Sequence, residues 1–288
     1  MEKVQLARMY VDNAMREGVL EVLESGQWIK GPRSKEFAAR FAEFCDASAG
    51  VTCSNGSVAL IAGLHLLGVG HGDEVIVPSH TYIASATAAD LVGATPVFID
   101  IDRRTFNIDP KLLEKKIIDV LEKGILVPKA IIAVDLFGQL ADYQKIEKIA
   151  KKYGLLLIED AAQSFGASYK DKKSCSFGDV AATSFYPAKP LGCYGDGGAI
   201  FTNDASKAKI YRSIRVHGQG IDKYDNMRIG LNSRLDTIQA AILLNKLSIF
   251  DEEIDKRNEI ANYYIEHLNN VLEVPFVFKD SVSSWAQF

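Results

Sequence analysis

Short runs rich in Val, Ile, Leu and Ala alternate with amphipathic stretches along most of this 288-residue chain, and that alternation restricts its fold more than any other feature. Residues 73–78, 95–99, 130–134, 155–158, 180–185 and 198–202 read as strands. Helical spacing over 81–91, 110–122 and 143–152 separates the first four. Pro110 stands near the start of the second helix, and Gly154 closes the third. Continuous apolar strands joined by helices predict an α/β fold with a mainly parallel central sheet flanked by helices. In such sheets ligands gather at the carboxyl ends of the strands. The chemically capable residues of this chain fall there. From Arg234 the pattern is helical to about Asn269, and 271–277 reads as a further strand. We read 1–245 as a large domain with an N-terminal helical segment. Residues 246–288 read as the start of a small C-terminal α+β domain that breaks off at Phe288 and is incomplete.

Composition narrows the function. With 33 Lys+Arg against 37 Asp+Glu the formal net charge is −4, which argues against a general nucleic-acid footprint. An apolar fraction of 48% is too high for disorder. No run of eighteen apolar residues predicts a membrane span. Residues 1–18 mix charges throughout and lack a signal-peptide core. Cys45, Cys53, Cys175 and Cys193 form no CxxC pair, so neither a metal site nor a disulfide framework is expected. Buried thiols in a soluble cytoplasmic enzyme are the expectation.

Three segments carry chemistry. In the first, Lys189 sits between a strand and the glycine-rich stretch Gly192-Cys193-Tyr194-Gly195-Asp196-Gly197-Gly198, among mostly neutral neighbours. Burial lowers the pKa of a lysine and makes its amine a better nucleophile towards a carbonyl. A lone lysine is more often a surface turn residue. The glycines lack the G-x-G-x-x-G spacing that opens a helix, which excludes a dinucleotide fingerprint. In the second segment, Leu157-Ile158-Glu159-Asp160-Ala161-Ala162-Gln163 puts a carboxylate at a strand's carboxyl end. Asp160 there could hold a protonated pyridine nitrogen, or simply cap a following helix. Strand alternation points Glu159 the other way. In the third, Ser54-Asn55-Gly56-Ser57 precedes an apolar helix. Its N–H groups and the Ser57 hydroxyl suit a phosphate, and N-capping by Ser54 or Asn55 explains the residues equally well. Ser184 offers a second hydroxyl upstream of Lys189. Tyr82 could stack on a flat ring or pack in the core. An amine for an aldehyde, a carboxylate for a ring nitrogen and a helix start for a phosphate together describe pyridoxal 5′-phosphate.

Taken in order, these motifs resemble the DegT/DnrJ/StrS sugar aminotransferases, pyridoxal-phosphate enzymes of fold type I. The resemblance runs from Gly26-Gln27-Trp28-Ile29-Lys30-Gly31-Pro32 through the segments above to Gly230-Leu231-Asn232-Ser233-Arg234. It implies that Lys189 carries the cofactor and Asp160 partners its ring nitrogen. It also implies that Gln163 lies on the ring-hydroxyl side, that Gly56, Ser57 and Ser184 hold the phosphate, and that Tyr82 stacks on the ring. Asn232 would reach the phosphate of a neighbouring subunit, so a homodimer with shared sites is implied. Arg234 and His217 are placed near the sugar nucleotide or the donor carboxylates, although Arg234 could instead begin the long helix.

Ser164-Phe165-Gly166-Ala167-Ser168-Tyr169-Lys170, the stretch from Cys193 to Gly198, and His217-Gly218-Gln219 carry a narrower likeness. It is to the transaminases of UDP-2-acetamido-2-deoxy-3-oxo-glucuronate, which take the amino group from L-glutamate, release 2-oxoglutarate and serve O-antigen or related surface polysaccharides. A 4-keto-6-deoxy sugar nucleotide is the alternative substrate. A non-catalytic regulator that binds a sugar nucleotide or the cofactor is the alternative of another class. Lys189 argues against a dehydratase that replaces the lysine with histidine, and the motif set argues against a glycine- or threonine-type lyase.

Overall fold

A computed structural model describes residues 10–222 and 224–288. Residues 1–9 of the charged N-terminal stretch therefore lie outside the described residues. The strands are β1 (Ala49–Cys53), β2 (Asp73–Pro78), β3 (Thr95–Ile99), β4 (Val127–Val134), β5 (Leu156–Asp160), β6 (Ser168–Tyr169), β7 (Lys172–Lys173), β8 (Val180–Ser184), β9 (Gly198–Thr202) and β10 (Ser281–Val282). The helices are α1 (Asn13–Ser25), α2 (Pro32–Phe44), α3 (Gly56–Leu66), α4 (Ala84–Leu91), α5 (Pro110–Lys123), α6 (Tyr143–Tyr153), α7 (Ala205–Ile214), α8 (Thr237–Leu247) and α9 (Phe250–Leu268).

One seven-stranded sheet has the order β1-β9-β8-β5-β4-β2-β3. All its pairings are parallel except those of β9, which runs against both β8 and β1. Strand alternation divides the core. Val75, Val77, Ile132 and Ile158 join Leu60 and Leu64 of α3, Ala88 of α4 and Tyr211 of α7 on one face. Ile76, Ile131, Ala133 and Leu157 join Leu113 and Ile117 of α5 and Tyr143 and Ile146 of α6 on the other. A third cluster gathers Phe37 and Phe41 of α2 with Phe185, Leu243 of α8 and Phe250. Both faces are thus covered, as parallel sheets require.

The helix ends follow local chemistry. Asp109, Asp142 and Asp204 each accept backbone N–H bonds at the starts of α5, α6 and α7, and Gly154 ends α6 in the left-handed region. The expected helix over 81–91 starts only at Ala84, which leaves Tyr82 outside it. The helical pattern after Arg234 is two helices, broken at Ser248 and Ile249.

The strand expected over 271–277 does not form. Among the described residues it pairs with no strand. Instead the Gln139 side chain donates to the Phe276 carbonyl at 3.0 Å and accepts from the Phe278 N–H at 2.9 Å. An amide side chain occupies the position a neighbouring strand would take. The pairing comes later, where β10 joins β6 and β7 in a small antiparallel sheet.

Candidate active site

The carboxyl ends of β5 and β8 and the β1–α3 turn surround a cavity of about 700 Å³. Asp160 is the last residue of β5 and is only 5% exposed. Its carboxylate accepts from Ser85 Oγ at 2.9 Å and from the Ala162 N–H at 3.2 Å. Residues 162–166 form turns rather than a helix, so Asp160 caps none. Burial raises its pKa, and the two hydrogen bonds and the nearby Lys189 charge oppose the rise. No cation stands within ion-pair distance of it among the described residues. A protonated ring nitrogen fits that setting.

Lys189 lines the same cavity on a loop fixed by its backbone. The Lys189 N–H donates to the Tyr186 carbonyl at 2.8 Å, and the Cys193 N–H donates to the Phe185 carbonyl at 2.7 Å. Gly192 approaches the Pro187 carbonyl so closely that a Cβ would lie 2.5 Å from its oxygen. Burial lowers the Lys189 pKa, and the Asp160 charge works against the fall. The neutral, nucleophilic amine is favoured relative to an exposed lysine.

Asn55 caps α3 by accepting from the Val58 N–H at 2.9 Å. Ser54 instead bonds Ser233, Oγ to Oγ at 3.1 Å. The helix therefore opens on Gly56 and the exposed Ser57. A Cβ on Gly56 would meet Ser184 Cβ at 2.7 Å, and one on Gly198 would lie 2.4 Å from the Asn55 carbonyl carbon. The glycines let the β1–α3 turn, the end of β8 and the start of β9 meet. Amide donors at a helix start, flanked by the Ser57 and Ser184 hydroxyls, make a cradle for a dianion.

Tyr82 is 70% exposed and lines the cavity, so it does not pack in the core. Gln163 lines it too, with its Oε1 accepting from the Phe137 N–H at 2.8 Å. Gly56, Ser57, Tyr82, Asp160, Gln163, Ser184 and Lys189 are thus brought together. Asn232, Arg234 and His217 do not line this cavity. Asn232 and His217 are exposed, and Arg234 lines a separate cleft with Lys30 and Arg215.

Sequence reasoning missed Ser85, which holds the Asp160 carboxylate from α4, and Ala286 and Gln287, which form part of the cavity wall. No spacing signal marks them, because only the fold brings them to the site.

A half-buried amine facing a buried carboxylate, above the strand ends of a doubly covered sheet, is the setting of the fold type I pyridoxal-phosphate transferases, and this chain is one of them. Residues 10–288 match the DegT/DnrJ/EryC1/StrS aminotransferase family, and the chain belongs to it. It is 50% identical to the UDP-2-acetamido-2-deoxy-3-oxo-D-glucuronate aminotransferase of Pseudomonas aeruginosa, over 99% of this chain and 77% of that protein. It is 45% identical to the dTDP-3-amino-3,6-dideoxy-alpha-D-galactopyranose transaminase of Aneurinibacillus thermoaerophilus, over 97% and 75%. The crystal structure of a DegT DnrJ EryC1 StrS aminotransferase from Brucella abortus superimposes with a TM-score of 0.95 at 48% identity, covering 96% of this chain and 74% of that one. The chain is a pyridoxal-phosphate-dependent sugar aminotransferase.

Proposed function

We propose that the chain moves the amino group of L-glutamate onto C3 of UDP-2-acetamido-2-deoxy-3-oxo-glucuronate, for a surface polysaccharide such as an O-antigen. The observation that carries this substrate is the 50% identity, over 99% of the chain, to a protein named for it. Pyridoxal phosphate, when bound, supplies a carbonyl that receives and passes on the amino group and a ring that withdraws electrons from the reacting carbon. Gly56, Ser57 and Ser184 would hold its phosphate. Asp160 would hold its ring nitrogen protonated, Tyr82 would cover its face, and Gln163 would meet the hydroxyl side. The Lys189 amine accepts and returns the proton that shifts between the reacting carbons. Burial lowers its pKa, which favours the neutral amine that accepts the proton.

The working unit in this proposal is a homodimer. Asn232 and His217 lie on the outside of the chain, and Arg234 lies in a cleft with Lys30 and Arg215. From there Asn232 would reach the partner's phosphate, and Arg234 and His217 would reach the carboxylates of donor or sugar. The four free buried cysteines suit a reducing cytoplasm, and among the described residues no helix is long and apolar enough to cross a membrane.

The test is a panel of keto sugar nucleotides incubated with the purified protein and glutamate. We expect 2-oxoglutarate to form in step with amination of the 3-keto glucuronate. Preference for a 4-keto-6-deoxy sugar would overturn the substrate, and cofactor binding without 2-oxoglutarate would favour a regulator.

A further inference from the structure

Behind Asp160 lies a second pair of carboxyls, which the chemistry above does not use. Asp135 follows β4 and Glu159 precedes Asp160 in β5, and neither side chain is exposed. No cation comes within ion-pair distance of either among the described residues. Neutral donors surround them. Glu159 Oε1 accepts from the Cys175 N–H at 2.7 Å and Ser174 Oγ at 3.1 Å, and Oε2 accepts from the Phe177 N–H at 2.9 Å. Asp135 Oδ1 accepts from the Ala141 N–H and the Tyr143 hydroxyl, each at 2.9 Å. Asp135 Oδ2 accepts from Ser164 Oγ at 2.8 Å. Ser164 Oγ lies 2.7 Å from Ser174 Oγ, so two hydroxyls join the carboxyls into one chain.

Three buried carboxyls, counting Asp160, could not all be ionised cheaply without a cation. Burial pushes Glu159 well above the usual carboxylate range and Asp135 up to about 7, which agrees with a proton retained between them. The chain also has a mechanical outlet. Ser164 ends the turn that carries Ala162, whose N–H holds Asp160, and Gln163, whose side chain faces the cavity. The Asp135 N–H donates to the Asp160 carbonyl at 3.1 Å.

We propose that Asp135, Ser164, Ser174 and Glu159 form a proton-sharing positioning unit that fixes Asp160 and Gln163 for the cofactor. This rests on the cofactor assignment made above. The donor and acceptor count makes the unit asymmetric. An amide at position 135 can turn its NH₂ towards Ser164, because the two hydroxyls can rotate and reverse the chain. An amide at 159 cannot adapt in this way. Both oxygens there face backbone N–H groups, so its NH₂ must oppose one of them.

The experiment measures pyridoxal phosphate affinity, and the pH profile of the bound cofactor's absorbance, in the native protein and in E159Q, D135N and S164A. We expect E159Q to weaken cofactor binding about ten-fold or more and to shift the profile, since it leaves a buried donor opposed. D135N should cost less, about three-fold, and S164A, which removes the Oγ links to both Asp135 and Ser174, about five-fold. S164A removes no charge, so it decides the matter if E159Q fails to fold. Native affinity and a native profile in S164A, or in a folded E159Q, would overturn the unit. So would lower melting temperatures with both cofactor readouts unchanged, the mark of a merely structural role. A native protein that binds no pyridoxal phosphate would instead overturn the cofactor assignment.

Discussion

Asp160 and Asp135 show how burial alone gives two carboxyls different work. Asp160 faces the cavity, so a cation there relieves the cost of its charge. Replacing it with Asn keeps its shape and removes that charge. We expect D160N to lower kcat by on the order of 10²–10³, the loss typical when one preorganised electrostatic partner is removed. Steady-state kinetics at saturating cofactor would check it. Asp135 faces neutral donors and the Glu159 carboxyl, and burial pushes it up to about 7 from 3.8. Between those values the folded chain holds a proton that the unfolded chain has released. Stability from this group is therefore greatest below the ordinary carboxylate pKa, falls as pH rises through this window, and levels off above about 7. Melting temperatures from about pH 4.5 to pH 7.5 should fall less steeply in D135N than in the native protein. Parallel slopes would contradict it.

At the scale of elements, Gly198 shows what holds the proposed phosphate cradle together. It starts β9 opposite Cys53 and touches the Asn55 backbone, where a Cβ would come within 2.4 Å of the carbonyl carbon. We expect G198A to push the turn open and weaken cofactor binding about ten-fold or more while the sheet persists, measured as a cofactor dissociation constant beside a far-UV spectrum. The inner strands were legible because buried parallel strands are unbroken apolar runs. β1 was harder to see, since Thr52 and Cys53 run directly into the polar turn Ser54–Ser57. The run over 271–277 misled for the opposite reason. It has strand-like residues, but its Val271 and Leu272 N–H groups turn back to the Leu268 carbonyl and its Phe276 carbonyl accepts from the Gln139 side chain, which no local pattern reveals. Within the site, Lys189, Asp160 and the Asn55–Gly56–Ser57 turn stood out because they sit at strand ends. Ser85 and Gln287 reach the cavity from α4 and from residues near the chain's end, so only tertiary structure shows them.

For the whole molecule, the residues fall into two sets. One lines the Lys189 cavity, and the other, Asn232 and His217, faces outward. In the proposed dimer each site needs Lys189 from one subunit and Asn232 from its partner. Two inactive variants, K189A and N232A, when mixed and allowed to exchange subunits, should then recover about a quarter of native activity, because half the dimers are mixed and each has one intact site. No recovery after demonstrated exchange would place both residues in the same subunit's site. The central claim is that Lys189 carries pyridoxal phosphate, and it has a direct measurement. The purified protein is loaded with cofactor, reduced with borohydride, digested and mapped by mass spectrometry. We predict a single pyridoxyl group on the peptide containing Lys189. A label on any other lysine, or none, would contradict the account.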